Sequence, residues 1–242
     1  MAAGAPRAFT GFTPAAYRFL IELGLNNNKL WFEANRTVYE TAVKQPIAGL
    51  IADVSAELAR RGLPLEGDSK RSSFRIHRDT RFSNDKSPYK TQIGTVWYRQ
   101  GSSKGGAGVL YFHFAPEGCF CAAAFYHPEP DVLDSIRERI RVHPGRFLTM
   151  QAELKAAGLT LDGSDALTRM PKGFEDLKGS PVADAIRLRS FIARRDLRLE
   201  ATTGPRLVGA IVDLAATALP LLTFGWAAVD ETSPSPSGRG LG

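Results

Sequence analysis

The feature that most restricts the fold of this chain is a change of hydrophobic period along it. Ile47, Leu50, Ile51, Val54 and Leu58 recur at i, i+3, i+4, i+7 and i+11, which lays one apolar stripe along a helix. Between residues 72 and 126 the period shortens to two, with strand-like runs at 72–79, 91–99, 109–114 and 119–126. Helical spacing returns after Asp131, with Leu133, Ile136 and Ile140 on one face. Strands grouped between two sets of helices predict an α+β fold: a central antiparallel sheet of four or more strands, N-terminal helices against it, and C-terminal helices closing its other side.

Punctuation supports this order. Thr13-Pro14 reads as a helix start, with Thr13 as cap, Phe12 able to staple onto Tyr17, and Gly24 as the stop. Asn28 is the expected cap of a second helix carrying Trp31, Asn35, Val38, Tyr39 and Ala42 on one face, Trp31 and Tyr39 being read as core aromatics. Pro46 starts or kinks a third helix, which Gly62 and Pro64 end. Ala115-Pro116-Glu117-Gly118 is a short hairpin connection, and residues 101–108 form a glycine-rich one that lacks the lysine and hydroxyl order of a nucleotide-binding loop. The run at 119–126 places Cys119, Cys121, Ala123 and Phe125 on one face and Phe120, Ala122, Ala124 and Tyr126 on the other, so helices are expected over both. After Pro144 a helix carries Phe147, Met150 and Leu154; residues 160–181 hold too many glycines and prolines for a long element, and 182–188 resumes a short helix or turn. A last helix spans 205–219, closed by Pro220, and 227–242 is a low-complexity tail expected to be disordered. A length of 242 residues with 43% hydrophobic and 23% charged residues, and no linker-like stretch within 9–226, fits one domain over those residues.

The charge is local. From Lys70 to Lys90 there are seven cations (Lys70, Arg71, Arg75, Arg78, Arg81, Lys86, Lys90) against Asp79 and Asp85, so 7 − 2 gives +5 of the chain's net +6. A second cluster, from Arg187 to Arg198, has five arginines against Asp196. A concentrated basic segment points to an anionic partner. Within it, Asn84, Asp85 and Ser87 before Pro88 predict tight turns whose amides, beside lysine and arginine, make an anion-binding nest. The leading expectation is a site for a phosphate-bearing or other anionic ligand formed by Arg75, Arg78, Arg81, Lys86, Tyr89 and Lys90, joined by Arg187 and Arg189. A second is an enzyme acting on such a ligand, with His77, Asp79, His127 and Glu129 as acid or base groups. A third, less favoured, is a nucleic-acid-binding module, suggested by a pI near 9.5 and by Phe82 and Tyr89 as stacking candidates.

Other classes are disfavoured. No two-histidine signature supports a metal, and no cofactor is expected. His113, between Phe112 and Phe114, reads as a satisfied core histidine. Cys119 and Cys121 read as reduced, buried side chains, since strand geometry turns both to one face. The N-terminal residues lack the apolar run of a secretory signal, and the apolar stretch 218–229 is short for a membrane span and broken by Pro220 and Gly225, so a cytoplasmic protein without membrane association is expected.

Five segments carry a resemblance: N-N-K-L-W-F-E-A-N-R-x-x-Y-E from Asn27, R-D-T-R-F-S-N-D-K-S-P-Y-K-T from Arg78, F-Y-H-P-E from Phe125, M-P-K-G-F from Met170 and L-R-S-F from Leu188. In this order they resemble the bacterial and fungal family known as domain of unknown function 2461, over about residues 9–200. The resemblance implies a soluble α+β domain and brings no established activity or cofactor.

Overall fold

The computed structural model describes residues 7–81, 84–102 and 105–232. Its helices and strands run in the order α1 (Pro14–Leu25), α2 (Lys29–Ala34), α3 (Arg36–Val38), a π-helical segment (Tyr39–Lys44), α4 (Gln45–Arg60), β1 (Leu65–Glu66), β2 (Ile93–Arg99), β3 (Val109–Phe114), β4 (Cys119–Phe125), α5 (Pro130–Val142), α6 (Pro144–Ala156), α7 (Ala183–Ile186), β5 (Phe191–Leu197), α8 (Leu199–Thr202) and α9 (Arg206–Thr232). The five strands form one antiparallel sheet in sequence order. The fold is α+β, as the periods predict.

The alternation along β4 holds as read, and it decides where the core lies. Trp97, Leu110, Phe112, Phe114, Cys121, Ala123, Phe125 and Phe191 point to one side and belong to a single hydrophobic core. Both helices that pack most extensively on the sheet are on this side: Trp97 donates from Nε1 to the Ile51 carbonyl of α4, and Gly225 of α9 lies directly against the Phe125 ring. α5 and α6 pack on α9 rather than on the sheet. The expected closure of the sheet's other side by C-terminal helices is therefore corrected, because N-terminal and C-terminal helices share one side.

The opposite face holds Gly94, Val96, Tyr111, His113, Phe120, Ala122 and Arg194 in register. There His113 stacks on Phe120 at 4.6 Å, with the Arg194 guanidinium 3.8 Å from the Phe120 centroid. His113 is thus half-buried on the sheet's second face and not a core residue; burial first, then Arg194, holds its pKa down. Val96 and Ala122 are buried on that face without joining the main core, which is why both faces of β4 read as apolar.

Several boundaries differ from expectation. Asn28 caps α2 through its side chain, accepting from the Trp31 amide, whereas Thr13 makes no side-chain cap at α1. The expected single helix through Ala42 is broken at Asn35 and widens into the π-segment. Pro46 supplies the cause, because its ring clashes with the carbonyl four residues back and the turn before it must open. The Gln45 amide accordingly bonds the Glu40 carbonyl, five residues back. Trp31 and Tyr39 pack against the core while remaining partly exposed.

Pro220 does not end the last helix, and α9 continues to Thr232, past the expected domain boundary at 226. Burial of Ala218, Leu221, Leu222 and Phe224 around the proline outweighs its local cost of roughly 3 kcal/mol. At 27 residues α9 is long and apolar enough to cross a membrane, yet it sits in the core against α4, α5, α6 and β4. The stretch 233–242 lies outside the described residues.

Both cysteines are free and buried. Burial raises both thiols, Cys121 to about 12. Neither presents a thiolate near neutral pH, so a thiol reagent at pH 8 is expected to modify the native protein roughly a hundredfold more slowly than the urea-unfolded chain. Equal rates would contradict the burial.

Candidate functional site

The basic segment does not form the regular strand expected at 72–79. Asp68 organises its start: the Asp68 side chain accepts from the Lys70 and Arg71 amides, while its own amide donates to the buried Ser72 hydroxyl. The chain then pairs with β2 only around Ser73↔Thr95, the Phe74 amide bonding the Gly94 carbonyl and the Val96 amide the Ser72 carbonyl. Beyond Phe74 it turns into a separate hairpin, 76–78 against 88–90, closed by Lys90 amide to Ile76 carbonyl and Arg78 amide to Pro88 carbonyl. Because the pairing partner changes, the run read at 72–79 does not continue as one strand: Ile76 is buried and Phe74 is 41% exposed.

This irregular edge and the π-segment border a half-open cavity of about 550 Å³. Its floor is apolar, from Phe32, Val43, Ile47, Ile76 and Ile93, all buried. Its rim carries Arg36, Lys44, Lys70 and Arg75, with His77, Glu40, Ser69 and Ser73 between them. Two of the cations are already neutralised. Arg36 forks onto Glu33 at 2.5 Å and Lys44 reaches Glu40 at 2.8 Å. Among the described residues, Lys70 and Arg75 have no acidic partner. Tyr39 also lines the cavity, and burial first, then the Glu40 carboxylate, pushes its pKa up to about 12, so it is a neutral hydrogen-bonding phenol at physiological pH. Beside Ser73 across the bridge, the fully buried Thr95 hydroxyl has no hydrogen-bond partner among the described residues.

The sequence-predicted residues divide. Arg75 and His77 line the cavity, with the His77 ring 6.2 Å from Phe32 and 5.1 Å from Tyr89. Tyr89 lies behind it, 3% exposed and stacked on Phe32 at 4.2 Å, while Asn27 clamps its backbone by one donated and one accepted bond. It is packing for the floor, not an exposed stacking surface. Phe82 lies outside the described residues.

Arg78 pairs with Asp85, and Arg81 forks onto Asp79 at 2.7 and 3.0 Å, holding that carboxyl below its usual range. Lys86 donates to the Thr80 carbonyl at 3.0 Å, and Lys90 stands 5.9 Å from the Phe74 ring centroid. Much of the segment's charge is therefore answered within it, and these four cations do not line the cavity. Arg187 pairs with Asp184 at a second cavity of about 330 Å³, and Arg189 is exposed near it in sequence.

The acid-base candidates separate as well. Ile93, near His77, pairs with Phe114, whereas Phe125, just before His127, lies at the other end of its strand and pairs with Phe191 of the far edge strand. His77 and Asp79 thus sit across the sheet from His127 and Glu129 and cannot share one reaction centre. His127 has a positive φ of 39°, its amide bonds the buried Ser190 hydroxyl, and its Nε2 is 3.7 Å from Asp165. Glu129 precedes α5 without a side-chain capping bond.

Sequence reasoning missed Arg36, Tyr39, Lys44 and Lys70. A signal existed: Arg36, Glu40, Val43, Lys44 and Ile47 fall at i, i+4, i+7, i+8 and i+11, one helical face on which charge sits beside apolar side chains.

Comparison with known proteins agrees with the motif pattern. The model of the family described as conserved hypothetical protein, domain of unknown function 2461, matches residues 15–224. The chain belongs to this family. The match takes in every element from α1 through most of α9, so the sheet, the π-segment and the cavity all lie inside the family domain. No curated protein and no solved structure gives a significant match.

Proposed function

We propose that the protein binds an anionic small molecule in the cavity between the π-segment and the 69–77 edge. The observation that carries this reading is the placement of Lys70 and Arg75: two cations without an acidic partner among the described residues, at the mouth of a concavity whose other two cations are neutralised. An anion there gains charge-assisted hydrogen bonds beside an apolar wall, where they are stronger than on open surface.

The Lys70→Ala/Arg75→Ala double variant should keep the wild-type thermal midpoint within roughly 2 °C, because exposed charges rarely change stability by more than about 0.5 kcal/mol. Ligand response should change instead. Inorganic phosphate, organic phosphates and carboxylates are to be screened for a raised midpoint in the wild type, and any rise should vanish in the double variant, since a ligand binding only the native state stabilises it by mass action. An equal rise in both proteins would overturn the assignment.

A catalytic reading has one observation in its favour. His77 is the single acid-base candidate of the original four that lines this cavity, beside Arg75. Conversion of a bound ligand that is lost in His77→Gln while binding persists would establish it. The nucleic-acid reading is weakened by the burial of Tyr89.

A further inference from the structure

Resting on that reading, we infer that the ligand is an amphiphile: one phosphate or carboxylate head held at Lys70 and Arg75, on an unbranched or aromatic apolar body that enters the cavity first. Three features of the site converge on this class.

The first is charge. The rim holds four cations, Arg36, Lys44, Lys70 and Arg75, against Glu40 on the rim and Glu33 bound to Arg36. The balance is 4 − 2 = +2, which matches a dianionic phosphate monoester and exceeds a single carboxylate by one. A polyphosphate would exceed it and would place its extra charge beside the Glu40 carboxylate, where like charges repel.

The second is the wall. It is mainly apolar, with Phe32, Val43, Ile47, Ile76 and Ile93 below and Ala48 beside them. A ribose or other polyol pressed against it would leave hydroxyl groups without partners, at about 1–3 kcal/mol for each one stranded. An alkyl or aryl body meets no such penalty and gains from leaving water. A volume of about 550 Å³ lies within the range of small-molecule sites and is far more than a bare phosphate needs.

The third is the arrangement of polar groups. Ser69, Lys70, Ser73 and Arg75 all come from the irregular edge, whereas most of the apolar wall (Phe32, Val43, Ile47, Ala48 and Ile93) comes from the helices and the start of β2, the edge adding Ile76. The cations that would hold a head therefore share one edge, while most of the wall that would meet the body comes from other elements. Facing that edge, the widened turn ahead of Pro46 presents Tyr39 and Val43 to the wall together with the paired Glu40 and Lys44.

The test measures affinities of inorganic phosphate, butyl phosphate, hexyl phosphate and adenosine diphosphate by calorimetry, for the wild type, Lys70→Ala/Arg75→Ala and Ala48→Phe. In the wild type, affinity should rise about fourfold per methylene until the body fills the cavity, from the usual ~0.8 kcal/mol per buried CH₂. Adenosine diphosphate should bind more weakly than hexyl phosphate. Ala48→Phe, which fills the cavity without changing charge, should remove the chain-length dependence while leaving the weak phosphate affinity; the double variant should weaken inorganic, butyl and hexyl phosphate alike. If inorganic and hexyl phosphate bind equally and the double variant weakens both, the anion site stands and the amphiphile inference fails. Tightest binding by adenosine diphosphate also overturns the inference. If none of the probes binds, the anion-site reading fails with it. Should Ala48→Phe not fold, the chain-length series in the wild type decides alone.

Discussion

Gly225→Val is expected to lower the thermal midpoint by roughly 6–12 °C, the consequence of about 3 kcal/mol of overpacking in a domain of this size. Gly225 is where α9 lies directly against the sheet's Phe125. A Cβ added there would lie 2.3 Å and 2.5 Å from ring carbons of Phe125, a side chain 1% exposed. Gly108 also lies close to this ring, since a Cβ added there would meet it at 2.5 Å. The two glycines therefore form a slot for one phenyl ring between β3 and α9. Gly209, in the first turns of the same helix, has nothing within 4 Å of its added Cβ. Gly209→Ala should act oppositely and raise stability by about 0.5 kcal/mol, because alanine loses less backbone entropy in a helix. Thermal unfolding of the two variants in parallel separates close packing from helix propensity; equal shifts of one sign would refute the slot.

Arg137→Met should cost about 3 kcal/mol through a different mechanism. Arg137 is 5% exposed on α5 and uses its guanidinium as a staple, donating from Nε to the Ile186 carbonyl and from Nη2 to the Leu188 carbonyl, each at 3.0 Å. Methionine fills similar space but strands both buried acceptors, at roughly 1–3 kcal/mol apiece. Lysine should restore little, since an ammonium lacks the planar fork that reaches two carbonyls at once. Asp134, the acidic partner at 3.1 Å, is 62% exposed, so Asp134→Asn should change stability by less than about 0.5 kcal/mol. Hydrogen exchange across residues 182–188 should accelerate in Arg137→Met and not in Asp134→Asn. Unchanged protection in both would remove the staple from the account.

These two sites mark the boundary between local and distant information. The helices α1, α4, α5 and α6 and the strands β2, β3 and β4 were legible because each buries one face against the core and so repeats its apolar residues at its own period. The Asn28 cap was legible for the same local reason, a side chain bonding an amide three residues on. β5 was hidden because Arg194, Arg195 and Asp196 read as a charge cluster, although Phe191 and Ala193 inside it face the core and Arg194 and Asp196 face out.

Sequence by itself determined the α+β class, the three central strands with helices on either side of them in the chain, family membership and the presence of cations at the cavity's edge. Tertiary structure alone decided that all the principal helices lie on one side of the sheet, since Ala122 and Ala124 are small enough to be buried by neighbours on a face that no major helix covers. It carried α9 through Pro220, because burial on either side of the proline exceeds a local penalty that composition alone reads as a stop. It also divided the basic segment. Arg78 and Arg81 turn to acids two to seven residues away, while Arg75 is brought to Lys70 and to a helical face some thirty residues earlier in the chain. The number of charges in a stretch is a property of the sequence; which of them remain without a partner depends on side-chain distances of a few ångströms, and only the folded chain sets those.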